Sequence, residues 1–106
     1  MPETFEGVVG YCIALKGSAA TGVKQKNFSL NGENIKFFIA FRDQEGFDLI
    51  KNGARLKVWI RPGSRRVGPD GHLREIIDRA VLVDTGKEIP VDSSVTVEEF
   101  AQDGLF

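Results

Sequence analysis

Hydrophobic and polar residues alternate along five segments of the chain with the period-two repeat of β-strands. The first segment covers residues 5–15, and Gly7 and Gly10 interrupt it. Glycine inside a strand often marks a bulge or a sharp bend, which a small barrel needs in order to close. The other four segments carry β-branched or aromatic residues and cover residues 24–30, 35–42, 55–61 and 73–83.

The connections between these segments are also informative. Asn31 and Gly32 stand between the second and third segments and predict a tight hairpin turn, because both residues tolerate a positive φ. Residues 43–53 have room for one short helix near 47–52 that ends at Gly53, a residue typical of helix C-termini. Residues 62–71, with three glycines and two prolines, predict a loop. This element order predicts an all-β, five-stranded Greek-key barrel of the OB type, with one helix between strands 3 and 4.

Part of the sequence resembles single-stranded DNA-binding proteins. Residues 51–60 are similar to the stretch of that family in which a helix leads into the fourth strand, and residues 70–71, 75–77 and 82–83 are similar to its fourth hairpin and fifth strand. The resemblance covers roughly residues 35–84 and is shared with anticodon-binding and exonuclease-associated OB domains. The resemblance implies an OB-fold and, with less support, the binding of single-stranded nucleic acid.

The third segment separates into two faces that differ in character. The all-apolar face is expected in the core and carries Ile35, Phe37, Ile39 and Phe41. The opposite face places an aromatic ring between two cations and carries Lys36, Phe38, Ala40 and Arg42. Single-strand binders need a ring on which a base stacks and cations for the flanking phosphates. Phe38 is thus a candidate stacking residue, unless a loop or a second subunit covers it.

The fourth segment repeats this arrangement. Leu56, Val58 and Ile60 are expected in the core, and Trp59 lies on the opposite face among cations, which are Arg55, Lys57 and Arg61. An outward tryptophan often marks a contact surface. It has three uses here: stacking a base, stacking on its own arginines, or packing in a dimer.

Two loops carry further cations. Lys16, Lys24 and Lys26 lie in the region of the first loop, and Arg61, Arg65 and Arg66 lie in or beside the fourth. In OB-folds these loops flank the binding cleft, so cations on both would form a track for a polyanion. The alternative is a pair of solvated loops.

The charges divide the chain into a basic body and an acidic tail. All 14 Lys and Arg but only 10 of the 15 acidic residues fall in residues 1–87, whereas residues 88–106 hold five acids and no base. We therefore expect an OB domain over 1–87 and an acidic tail or short helix over 88–106. The tail resembles the acidic, phenylalanine-ended tip that docks partner proteins in single-stranded DNA-binding proteins, which makes Phe100, Leu105 and Phe106 candidate partner contacts. In the alternative, the phenylalanines fold back onto the barrel.

Catalytic signatures are missing from the sequence. His72 is the single histidine and lies in a predicted turn, no His/Cys pair is present for nucleophilic catalysis, and no cluster has zinc-ligand spacing. Gly63 and Ser64 do not fit a phosphate-binding loop, which ends in Gly-Lys-Ser/Thr. We expect neither enzymatic activity nor a cofactor nor a metal. The lone Cys12 and the short apolar runs indicate a cytoplasmic protein that is not in a membrane.

These patterns together predict a binding module for single-stranded nucleic acid, with DNA favoured over RNA, a protein partner for the tail, and homo-oligomerisation left open. Two alternatives remain. The first is a protein-interaction or oligomerisation module that uses Trp59, Phe38 and the tail. The second is an accessory OB domain of a larger nucleic-acid enzyme.

Overall fold

The computed structural model of the chain describes residues 4–15, 24–68 and 70–96, except for the side chains of Leu15 and Lys24. Its elements, in chain order, are β1 (Thr4–Leu15), β2 (Lys24–Leu30), β3 (Ile35–Phe41), α1 (Gln44–Leu49), β4 (Arg55–Ile60), β5 (Arg66–Val67), β6 (Leu73–Leu82) and β7 (Glu88–Ile89).

Five of these strands form a closed barrel. β1 pairs antiparallel with both β2 and β4, β2 pairs antiparallel with β3, and β4 pairs antiparallel with β6. The barrel closes through β3 and β6, which run parallel where residues 35–38 meet residues 73–76. This strand order, with α1 between β3 and β4, confirms the predicted five-stranded barrel of the OB type.

The predicted hairpin turn is present between β2 and β3. Asn31 and Gly32 have φ values of 55° and 70°, the positive pair that a tight hairpin of this kind requires. The N–H of Glu33 donates to the carbonyl oxygen of Leu30 at 3.1 Å. Glu33 and Asn34 therefore follow the turn directly, at the start of β3.

β1 contains a bulge close to one of its glycines. Gly10 pairs with Ser29 and Ile13 pairs with Asn27, so β1 has one residue more than β2 between these pairs. Tyr11 lies in the bulge with a φ of 47°. A bulge changes the direction of the side chains that follow it. Tyr11 and Ile13 are consequently exposed by 63% and 41%, although the alternation of the sequence groups them with the buried Val9.

The barrel interior is filled by the apolar faces that the alternation predicts. Phe37, Ile39 and Phe41 from β3 and Leu56 and Val58 from β4 are buried in one core cluster, against which Ile35 and Ile60 pack in part. Removing such a side chain from water stabilises the fold by about 1.5–3 kcal/mol. The faces assigned to the third and fourth segments are therefore confirmed.

The helix lies earlier in the chain than expected. Asp43 accepts a hydrogen bond from the N–H of Gly46 at 2.9 Å and so caps the N-terminus of α1. Ile50 is extended and fully buried, and this core contact ends the helix before Gly53. Gly53 lies instead in a separate turn with a φ of 91°, in which the N–H of Ala54 donates to the carbonyl oxygen of Lys51.

Residues 88–92, the closing segment, fill the gap where β3 and β6 diverge. Ile89 pairs with Ala80 of β6, and Val91 bridges Phe41 of β3. Both apolar side chains are buried in the core. The charge pattern assigned these residues to an acidic tail from residue 88, because two alternating apolar residues are too few for periodicity to detect. The structure makes them part of the barrel.

The loop expected over residues 62–71 contains the two-residue strand β5, which pairs with the start of β6. So short a strand also escapes a pattern-based prediction. Among the described residues, no helix is long and apolar enough to cross a membrane.

Candidate functional site

The outer face is the side of β1, β2, β3 and β6 that points away from the core. The strand register places Ile13, Asn27, Phe38 and Ile76 in one row across these four strands. A second row crosses β3, β6 and β5 and consists of Lys36, Arg74 and Arg66. Partners in neighbouring strands lie about 5 Å apart, so the second row is a short line of cations.

Part of the outer face is covered. Phe38 is only 1% exposed, and Ala40 and Ile76 are equally buried. The guanidinium of Arg74 lies over the Phe38 ring, 5.9 Å from its centroid. The expectation of an exposed Phe38 is therefore incorrect. Alternation assigned the ring to the correct face but gave no information about the groups that cover it.

The rest of the outer face is open and contains a cavity of about 270 Å³. The residues that line this cavity are Tyr11, Ser29, Glu33, Asn34, Ile35, Lys36 and His72. Tyr11 is the most exposed of the large apolar side chains that line this cavity. A non-glycine residue in the left-handed region is strained, and such strain often accompanies function.

Asp70 organises the charged wall of this cavity. Its carboxylate accepts a hydrogen bond from the Lys36 ammonium at 2.5 Å and another from the His72 backbone N–H at 3.1 Å, and the Arg74 guanidinium lies 3.6 Å away. The hydrogen bond from Lys36 is the main reason why the pKa of Asp70 falls well below its usual range. Asp70 therefore stays ionised at neutral pH and offsets the charge of Lys36.

Lys26, a predicted nucleic-acid contact, has a structural role instead. Its ammonium donates to the carbonyl oxygens of Phe47 and Ile50 at 2.5 and 2.6 Å and lies 4.1 Å from the centroid of the Phe47 ring. These carbonyls lie at the C-terminal end of α1, where a cation is favourable. The side chain is buried and does not contribute to a surface track.

Arg61 and Arg65 are also tied into the fold. Arg61 donates to Asp78 and to the carbonyl oxygens of Ser93 and Val95, at 2.6–2.9 Å. Arg65 donates to Glu75 at 2.9 Å, and this carboxylate is nearly fully buried. Counting cations along the sequence cannot reveal that these two have internal partners.

The remaining predicted contacts fall into two groups. Arg42, Lys57 and Arg66 are exposed, and Trp59 is half-buried between Arg79 and Lys57, at 4.4 and 5.3 Å from its ring. The stacking of Trp59 on cations is one of the three uses expected for it. Outside the described residues lie Lys16, Phe100, Leu105 and Phe106, residues 97–106 of the expected acidic tail or short helix, and the side chain of Lys24.

Of the seven residues that line this cavity, only Lys36 was selected as a site residue from the sequence, and the other six were not. The signal for Tyr11 was Gly10, because a bulge at this glycine turns the following residue outward. The turn at Asn31 and Gly32 similarly places Glu33 and Asn34 at the rim of the barrel. His72 was assigned only to an exposed turn, and its position against Lys36 depends on the parallel pairing of β3 and β6.

In the described part of the chain, no group of three His, Cys, Asp or Glu side chains is placed to hold a metal ion. Burial raises the pKa of the Cys12 thiol, which donates to the carbonyl oxygen of Ile50 at 3.6 Å.

Comparisons of the chain with protein-family models, curated proteins and solved structures give no significant match.

Proposed function

We propose that this protein binds single-stranded nucleic acid on the open part of its outer face and catalyses no reaction. The observation that carries the proposal is the exposed ring of Tyr11, which the β1 bulge holds beside a cavity the size of a nucleoside. Exposed aromatic rings on OB barrels are stacking platforms for bases, and each stacked base contributes about 1–3 kcal/mol.

The cations on the neighbouring strands supply the second part of the proposal. Lys36, Arg74 and Arg66 form one row that begins at the cavity. Arg74 is buried and Asp70 offsets Lys36, so the phosphate contact of this row is expected at Arg66, which is exposed at its end. A strand whose base stacks on Tyr11 would place an adjacent phosphate there. Each neutralised phosphate releases counterions, so binding should weaken as salt rises.

Fluorescence anisotropy of labelled oligo-dT and oligo-rU at two salt concentrations tests this proposal. Tyr11→Gly removes the ring and also relieves the positive φ, so the fold should be kept. We expect this variant to lose about 1–3 kcal/mol of affinity, roughly 5- to 150-fold in Kd, and Tyr11→Phe to bind as the wild type does. The control is Val8→Ala, at an exposed apolar position of β1 where the strand pairs with β4. Equal binding by Tyr11→Gly would contradict the proposal.

A protein-interaction module is the second candidate, and one observation favours it. Val67 is 69% exposed on β5 and pairs with Leu73, so it points to the side opposite Arg66 and Arg74, and an exposed apolar side chain is a candidate contact for a partner. Self-association that Val67→Asp abolishes, together with no affinity for either oligonucleotide, would favour this candidate. An accessory OB domain of a larger enzyme predicts the same oligonucleotide binding as the first proposal.

A further inference from the structure

The cavity beside Tyr11 has an uneven distribution of charge. The carboxylate of Glu33 lines it and forms no hydrogen bond or ion pair with any residue in the described ranges. Lys36, on the same wall, is offset by Asp70. An unpaired carboxylate repels phosphate, so the cavity itself suits an uncharged group.

The volume of the cavity is comparable to that of one base with its sugar. Its volume is about 270 Å³, below the roughly 300–1,000 Å³ of pockets for drug-sized ligands. Tyr11 offers the stacking surface, while Glu33 and Asn34, consecutive in the chain, offer hydrogen-bonding groups to the edge of a base. Of the row of cations, Lys36 lines the cavity, whereas Arg74 and Arg66 lie outside it on β6 and β5.

Carboxylate chemistry selects among the four bases. An ionised carboxylate only accepts hydrogen bonds, through two oxygens. Guanine presents two adjacent donors, N1–H and the N2 amino group, on its Watson–Crick edge, which is one of the two edges that proteins read on an unstacked base. Adenine and cytosine present one amino donor next to an acceptor nitrogen, and thymine or uracil presents one N–H between two carbonyls.

We infer that the Tyr11 cavity prefers guanine within a single strand, with Glu33 accepting from N1–H and N2–H and Asn34 donating to O6. This inference rests on the proposed single-strand binding and adds a base preference to it. The test uses labelled dT 12-mers with one central dG, dA, dC or deoxyinosine. The dG strand should bind roughly tenfold tighter than the dT strand, the scale of charge-assisted hydrogen bonds, and deoxyinosine, which lacks the N2 amino group, should lose most of that gain.

Glu33→Gln removes the charge at an exposed position and should abolish the preference for dG over dT. Glu6→Gln removes the same charge from an exposed position of β1 that pairs with β4 and should keep the preference.

The binding results separate the guanine inference from the proposed function. If all strands bind equally and Tyr11→Gly weakens them all, the guanine inference fails and the proposed function stands. If no strand binds, both fail. If the guanine preference survives Glu33→Gln, Glu33 is not the residue that recognises guanine. If free GMP competes with the strand at equal concentration, the ligand is a nucleotide and not a single strand.

Discussion

The ammonium group of Lys26 lies 2.6 Å from the carbonyl oxygen of Ile50 and joins β2 to the end of α1. A hydrogen bond to a charged group contributes about 1.5–3 kcal/mol. Lys26→Met keeps the apolar stem but removes the donor, and we expect it to lower the free energy of unfolding by about 2 kcal/mol. Urea denaturation measures this change.

Lys57→Met, at an exposed position of β4, is the matched control and should leave stability nearly unchanged. The salt dependence of oligonucleotide binding should be the same in Lys26→Met as in the wild type, because the ammonium is buried. Unchanged stability with a reduced salt slope would return Lys26 to the list of phosphate contacts.

Phe38 should behave as a core residue. We expect Phe38→Ala to destabilise the fold by about 3–5 kcal/mol, the usual cost of truncating a buried phenylalanine, and Phe38→Leu to be tolerated far better. Thermal or urea unfolding measures both variants. If Phe38→Ala is as stable as the wild type but binds oligonucleotides more weakly, the ring is exposed and stacks a base.

Arg61 should hold residues 93–95 against the barrel. It joins Asp78 to the backbone of Ser93 and Val95, so Arg61→Met leaves a half-buried carboxylate and two carbonyls without this donor. We expect a loss of about 2–3 kcal/mol in unfolding free energy and faster backbone hydrogen exchange in residues 93–95. Arg55→Met, at an exposed position of β4, is the control. Equal stability of the two variants would contradict this role.

The effect of C-terminal truncation should depend on where the chain is cut. Removing residues 97–106 deletes three acids, which we expect to compete with a polyanion for the basic body. Oligonucleotide binding should become tighter at low salt, and the gain should shrink as salt screens the attraction. Removing residues 88–106 instead deletes the closing segment and should lower the melting temperature sharply. A stable chain that ends at residue 87 would contradict the barrel role of this segment.

Asp70 should contribute to the pH dependence of stability. Its pKa in the folded protein is depressed mainly by the hydrogen bond from Lys36, so its contribution is present above the unfolded pKa of about 4 and is lost as the pH falls towards the folded value. Asp70→Asn should therefore be less stable than the wild type at pH 7, and the difference should narrow below about pH 4. Urea titrations across this range measure it; a difference that is constant with pH would exclude the ion pair as its cause.

The fold could be predicted from the sequence to a large extent because alternation reports which side of a strand a residue occupies. Phe37 and Ile39 lie in the core for that reason. The covering of Phe38 could not be predicted, since periodicity contains no information about the chain segments that pack on the outer face. The bulge at Tyr11 shows the same limit, because a single extra residue reverses the faces of the residues beyond it.

The cations could be counted from the sequence, but the sequence did not show which of them lie at the site. Lys26 and Arg61 look like surface cations in the sequence, yet their partners are backbone carbonyls that only the folded chain brings near. Tyr11 and Lys36, in contrast, share a cavity because β1, β2 and β3 are neighbours in the barrel. Residues that fall in separate strands could be joined in one site only after the strand order was known.

The closing segment has a consequence for how the protein is synthesised. Val91 bridges Phe41 across about 50 positions of the chain, and contacts between residues so distant in sequence slow folding. A nascent chain on the ribosome holds β1 to β4 before it holds the residues that complete the barrel. The edge of β3 near Phe41 should stay unpaired during that interval, and an unpaired edge invites aggregation. Expression yield and solubility should therefore depend on residues 88–92 more than their small number suggests.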